Sequence, residues 1–155
     1  MSFIKNHQLN LPLMRKIILL SLLGLVTLSY SSTAQTIVGK WKAIENKKPS
    51  SIIQIYKGSN GKYYGKMVEL LDPKLKNHTC DDCKGERNGK AMQNLVVIRD
   101  LQIAKDKKSA KGGKILDPWS GKEYNCKVWV DGTNRLKMRA FIGILFGTRT
   151  WYKVN

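Results

Sequence analysis

The sequence predicts an all-β chain: an eight-stranded antiparallel up-and-down β-barrel that follows a cleaved signal peptide. Three observations carry this expectation. From Gly112 to Asn155, extended runs alternate with turn chemistry three times, which is the pattern of a β-meander. About eight such runs follow the leader, and none of them has the length and caps of a helix. Sequential hairpins favour an up-and-down barrel, because closure removes exposed edges without the long crossovers of a Greek key.

Lys5, Arg15 and Lys16 make a basic start. Ile17 to Leu28 is an apolar run interrupted by Ser21, Gly24 and Thr27, and Ser32-Thr33-Ala34 supplies small residues for cleavage. Residues 1–34 are therefore expected to be a signal peptide and residues 35–155 a single domain beginning at Gln35. The apolar run has about a dozen residues where a spanning helix needs roughly 20, so no transmembrane span is expected in the mature chain. Export, to the periplasm or beyond, is the implied localisation.

Along the mature chain, Ile37 to Ala43 reads as a short extended run, and Asn46 to Ser50, polar and carrying Pro49, as a loop. Ser51 to Lys57 is β-branched and aromatic, a second strand. Gly58-Ser59-Asn60-Gly61 is a turn. Lys62 to Leu71 forms a third strand whose central Gly65 marks a bulge or a close backbone approach, and Asp72-Pro73 ends it. Lys74 to Met92 has no usable periodicity and reads as the longest loop, of a length that is often functional or covalently pinned. Asn94 to Arg99 is a strand with Leu101 to Ile103 as its continuation. Ala104 to Lys111 reads as a basic loop, Gly112-Gly113 as a turn or strand end, and Lys114 to Leu116 as a short strand.

In the meander, Asp117-Pro118-Trp119-Ser120-Gly121 is a turn, because Pro presets φ and Gly accepts positive φ. Asp117, Pro118 and Gly121 thus have structural roles. Tyr124, Cys126, Val128 and Val130 share one face of the next run, and Leu136, Met138, Ala140 and Ile142 one face of the run after Asp131-Gly132. Gly143 and Gly147 read as separating the last two runs. In the last run, Arg149, Trp151 and Lys153 share one face and Thr148, Thr150 and Tyr152 the other. Alternation alone does not say which of the two is inside.

Of the 28 Lys and Arg, three fall in the leader, so the mature chain keeps 25 against 11 acidic residues, a formal charge of +14. Such a charge attracts anions, although it also suits a merely soluble surface. An exported protein meets anionic lipid headgroups and acidic polysaccharide before nucleic acid. Lys127, Arg135, Lys137 and Arg139 lie on neighbouring strands as a basic outer stripe suited to an anionic envelope surface. Nucleic acid is disfavoured, since single strands need stacked aromatics among the cations and only Trp129 and Phe141 share that face. Three cysteines cannot all pair within one chain. Cys80 and Cys83 are the natural disulfide in an oxidising compartment, and Cys126 then sits inward as a small buried hydrophobe.

Gly39-Lys40-Trp41, Tyr64-Gly65-Lys66, the Cys80/Cys83 loop, the segment from Asp117 to Tyr124 and the terminal Thr150-Trp151-Tyr152-Lys153 together resemble the exported bacterial domain of unknown function 2147 family. The resemblance spans nearly the whole mature chain and implies an envelope-directed, lipocalin-like barrel with no assigned chemistry. Gly39-Lys40-Trp41 is also similar to the first strand of lipocalins, where the Trp closes one barrel end beneath a cation from the last strand. That likeness implies a floor role for Trp41, with Arg149 or Lys153 over its indole. The chain departs from the pattern in having Lys153 where an Arg is expected.

Catalysis finds little footing. A nucleophile needs a base in reach, and His78 is the one histidine of the mature chain. Asp81 and Asp82 read as solvated charges. His78 with Cys80 and Cys83 has zinc-donor chemistry, but oxidation would consume both thiolates, so no metal and no cofactor is expected. Binding is the better class. Inward faces would line a cavity with Tyr124, Val128, Met138 and Ala140, joined by Tyr56 and Met67, a wall suited to a small apolar or amphipathic ligand. The competing reading is that the same side chains fill a narrow barrel. The expected function is thus a non-enzymatic barrel binding a small apolar or amphipathic molecule in the bacterial envelope. The alternative is a structural or interaction module docking on anionic envelope components through its basic face.

Overall fold

The structure, a computed structural model, describes residues 35–154; the expected signal peptide lies outside them. Eight antiparallel strands follow one another as β1 (Gly39–Glu45), β2 (Lys48–Lys57), β3 (Tyr63–Leu70), β4 (Val96–Ile103), β5 (Ser109–Asp117), β6 (Lys122–Asp131), β7 (Arg135–Ile142) and β8 (Leu145–Val154). Each pairs with the next and β8 returns to β1, closing an up-and-down barrel. The period-two alternation on β6 and β7 acts as expected: Cys126, Val128, Leu136 and Met138 are buried inside. Ile142 is the exception, lying past the barrel wall and 56% exposed.

Turn chemistry trims three of the expected loops. Asn46 and Lys47 take φ of 48° and 64°, a two-residue turn whose twist matches its strands, so Glu45 pairs with Lys48. Lys48 to Ser50 therefore belong to β2 rather than to a loop. Pro49 is tolerated there because it sits at a register shift, where the ladder is already interrupted. The connection after β4 ends at Lys108, with Lys107 at φ 59°, and β5 begins at Ser109. Gly112 and Gly113 lie within β5 at a second shift, not at a turn or strand end. Gly147 sits within β8 opposite Ala140, because a tight turn at Gly143 reverses the chain by itself. Gly65 marks both a shift and a close approach: a Cβ there would lie 3.0 Å from Cβ of Ile98. Such bulges bend strands enough to close a small barrel.

The two ends of the barrel differ. The residues before β1 cross the end that carries the β2–β3, β4–β5 and β6–β7 turns. Ile37 is fully buried there, its N–H donating to the Lys107 carbonyl at 3.1 Å and its carbonyl accepting the Trp41 indole N–H at 2.8 Å. The opposite end carries the other four connections. The longest joins β3 to β4 and holds two short 3-10 turns, Pro73–Leu75 and Gly85–Arg87. Cys80 and Cys83 are disulfide-bonded within it, and Leu75, both cysteines and Met92 are buried.

That loop is fastened twice to the β5–β6 side of the barrel. Gly121, at φ 64°, lies against Asp82 so closely that a Cβ would overlap the Asp82 carbonyl. Beside it, Glu123 of β6 accepts a forked pair from Arg99 of β4, at 2.8 and 2.7 Å, and a third bond from Arg87 of the loop at 2.8 Å. The Arg99 bonds and then those of Arg87 hold the Glu123 carboxyl down at about 2 against the opposing cost of desolvation. Arg99 also reaches Asp100, which Lys62 holds below the usual carboxylate range.

Two outcomes follow from these fastenings. G121A is expected to lose about 3 kcal/mol in urea unfolding, through the clash and the positive φ together. Glu123 has its pKa lowered on folding from an ordinary 4.5 to about 2. Its contribution is therefore complete above pH 4.5 and lost as pH falls from there towards 2. The wild type should lose up to about 3 kcal/mol over that window, and E123Q should be less stable at neutral pH and lack that slope.

Candidate ligand cavity

A cavity of about 290 Å³ opens at the end of the barrel that carries the β1–β2, β3–β4, β5–β6 and β7–β8 connections. Its size is at the lower end of small-molecule sites, which run from roughly 300 Å³ upward. The wall is mostly apolar. Ile53 comes from β2, Met67 from β3, Val97 from β4, Ile115 from β5, Tyr124 from β6, Met138 and Ala140 from β7, and Trp151 from β8. Asp117, Pro118 and Trp119 border it from the β5–β6 turn. Asp117 accepts from the Trp119 N–H at 3.1 Å and the Ser120 hydroxyl at 2.7 Å, so this part of the rim is held by its own turn. Trp119 stands edge-on to His78, with ring centroids 4.7 Å apart.

Three of the four expected ligand residues meet here: Tyr124, Met138 and Met67. Tyr56 does not. Ile53 and Ile55 take the buried positions of β2, and Tyr56 packs on the other face against Tyr64, with centroids 6.0 Å apart. Because β2 carries isoleucine on both faces, its alternation does not fix its phase.

The register of the last hairpin decides the face of β8. Leu136 pairs with Trp151 and Met138 with Arg149, and cross-strand partners share a face. Trp151 is thus buried, and Arg149 lies on the cavity wall. The expected cation over Trp41 is not found among the described residues; Lys153 is its neighbour in the ladder and is exposed. Trp41 itself is buried at the closed end, as a floor residue would be. Arg149 is a feature that alternation left open: a cation on a wall that also carries Glu45, Ser50, Ser51 and Asp117, with no carboxylate within salt-bridge distance of it among the described residues. Cys126, buried behind the wall, is an unpaired thiol that desolvation pushes up to about 12, so it is neutral and unreactive at ordinary pH.

Outside the barrel the four basic residues behave unequally. Arg135 and Lys137 both approach Asp131, at 3.3 and 3.8 Å. Lys127 and Arg139 are cross-strand partners and lie among aromatic rings: Lys127 over Trp129 and Phe141, Arg139 over Trp129 and, at 4.1 Å, Phe146. The face thus holds three aromatics, Phe146 arriving from β8. A larger hollow of about 740 Å³ lies on the outer wall between β3, β4 and the disulfide loop. Two of its cations, Arg87 and Arg99, are already committed to Glu123.

Among the described residues no helix is long and apolar enough to cross a membrane. The barrel is similar to a solved structure, protein HP1028 from the human pathogen Helicobacter pylori, which is described as belonging to the lipocalin family. The two share 21% identity over 78% of this chain and 84% of that one, with a TM-score of 0.66. That likeness establishes a lipocalin-like fold. No curated protein matches the sequence. Residues 39–153 match the family described as "Uncharacterized protein conserved in bacteria (DUF2147)", and the chain belongs to that family.

Proposed function

We propose that this protein is an exported, non-enzymatic carrier of a small amphipathic molecule in the bacterial envelope. The observation that supports this most is the wall of the open-ended cavity, where Met67, Met138, Tyr124 and Trp151 surround a space beside the Arg149 guanidinium. Methionine adapts to irregular apolar shapes, and tyrosine adds a hydroxyl able to orient a polar group. Arginine matches a planar anion by two parallel hydrogen bonds. Together they suit a short apolar body with an acidic head. The leader-like residues 1–34 and the strong positive charge agree with work outside the cytoplasm.

Native mass spectrometry of protein purified gently from its own envelope, with organic extraction of anything retained, tests this reading. A reproducible co-purifying amphiphile is expected, and M138W should expel it by filling the space. A dansyl-labelled fatty acid serves as probe in solution: R149Q should weaken it about tenfold, as loss of a charge-assisted hydrogen bond implies, and leave a neutral dansyl-labelled alcohol unaffected. A clean apo mass together with no uptake of either probe would overturn the proposal.

A further inference from the structure

The hairpin of β7 and β8 runs past the barrel that it helps to close. On one side, the ladder between β6 and β7 reaches Asn125 opposite Phe141. On the other, the ladder between β8 and β1 stops at Tyr152 opposite Lys42. The two hairpin strands continue to pair with each other as far as Ile142 and Leu145. The projecting tip is turned by Gly143, and its side chains are apolar: Ile142, Ile144, Leu145 and Phe146 are 56, 99, 68 and 58% exposed. None of the four lines the cavity. Four large apolar side chains within five positions at a free tip are unusual for a surface that faces only water, and such clusters mark contact sites.

Charge says what kind of contact. Behind the tip, Phe141 and Phe146 pack with their rings tilted by 58° and centroids 6.4 Å apart, and the Arg139 guanidinium reaches forward over Phe146. Phe146 lies two residues from the outermost Ile144, about 7 Å at the rise of a strand. Apolar side chains at the end, aromatics next and cations about 7 Å back reproduce the layering of an anionic bilayer, whose acyl boundary, interface and phosphates follow in that order. Two copies of this tip meeting symmetrically would instead set Lys127 and Arg139 of each against those of the other, on a chain already carrying a large positive charge.

We propose that the β7–β8 tip is a membrane-docking element that buries Ile142, Ile144 and Leu145 in the outer acyl region of an anionic bilayer, with Phe146 at the interface and Lys127 and Arg139 engaging lipid phosphates. Ala140 and Arg149 of the same hairpin line the cavity. Docking therefore turns the cavity mouth towards the lipid, and, on the carrier reading above, an amphiphile passes between bilayer and barrel without crossing water.

The test is flotation of the full protein, as purified from its producing cell, with vesicles of phosphatidylglycerol and phosphatidylcholine or of phosphatidylcholine alone. Binding to the anionic vesicles is expected, weakening as salt rises. Ile144 makes no packing contact to lose, so I144E should keep the wild-type melting temperature and reduce binding at least about tenfold, the worth of one buried apolar side chain. R139Q should weaken binding to anionic vesicles alone. I144C, labelled with an environment-sensitive fluorophore, should brighten on vesicles and be quenched by brominated acyl chains. Absence of flotation with either vesicle, or equal flotation of wild type and I144E, overturns the proposal. So does a mass that doubles with concentration in the wild type and not in I144E, without flotation, which assigns the tip to a second copy. The dansyl fatty acid, titrated in solution without vesicles, separates the two readings. Uptake that is intact without flotation removes the docking element alone, and flotation without uptake removes the carrier alone.

Discussion

The barrel closes through a ladder of only three residue pairs, Lys40 with Val154, Trp41 with Lys153 and Lys42 with Tyr152. On every other side but one the strands are joined by hairpins whose short connections hold partners together, and β3 and β4, which also pair through three residue pairs, are joined by the long disulfide loop. The seam between first and last strand has no such tether, and three pairs are too few to hold it by hydrogen bonding, each bond contributing about 1 kcal/mol net. What supports the seam is the burial of two indoles, Trp41 and Trp151, one from each of its strands. Ile37, bonded to Trp41 and to Lys107, ties the segment before β1 to the turn across the barrel. The closed end and the seam are thus one cluster, and the shortness of the seam leaves the outer half of β8 unpaired with β1 on that side.

The cavity exists because the other end is built differently. There the wall is finished by loops, and the longest one is long because it carries its own small core, Leu75, Cys80, Cys83 and Met92. A disulfide between positions three apart does little for the barrel by itself, since its closed loop is so short. The fastening to the barrel comes from the steric fit at Gly121 and from the charge cluster of Arg87, Glu123 and Arg99. The two act on different variables, one on backbone shape and one on ionisation, so the same loop is held in two physically independent ways.

Much of this was legible in the sequence. Alternation on β6 and β7 is clean because one face of each strand is apolar and the other charged, and it places Tyr124 and Met138 on the wall where the structure has them. The same logic fails on β2, where Ile52, Ile53 and Ile55 make both faces apolar and Tyr56 is assigned to the wrong one. The face of β8 was open for a different reason. Its alternation pits Arg149 and Trp151 against Thr148, Thr150 and Tyr152, and only the register answers which is inside. A two-residue turn at Gly143-Ile144 would have supplied it, since that turn pairs Ile142 with Leu145 and so Met138 with Arg149. The charge cluster around Glu123 left no local trace: its partners stand 24 and 36 positions away, beyond the reach of any pattern read along the chain.

The buried thiol of Cys126 carries a last implication, for how the chain matures. In an oxidising compartment an unfolded chain offers three thiols and three possible pairings, of which one is native. Cys80 and Cys83 meet with almost no search, being three residues apart, whereas either pairing with Cys126 must close a span of more than forty residues. Once β6 is in the wall, Cys126 is screened from oxidants and exchange partners and is too weakly acidic to react. Proximity along the chain thus selects the right bond early and enclosure removes the wrong one late, so an odd number of cysteines need not call for an isomerase.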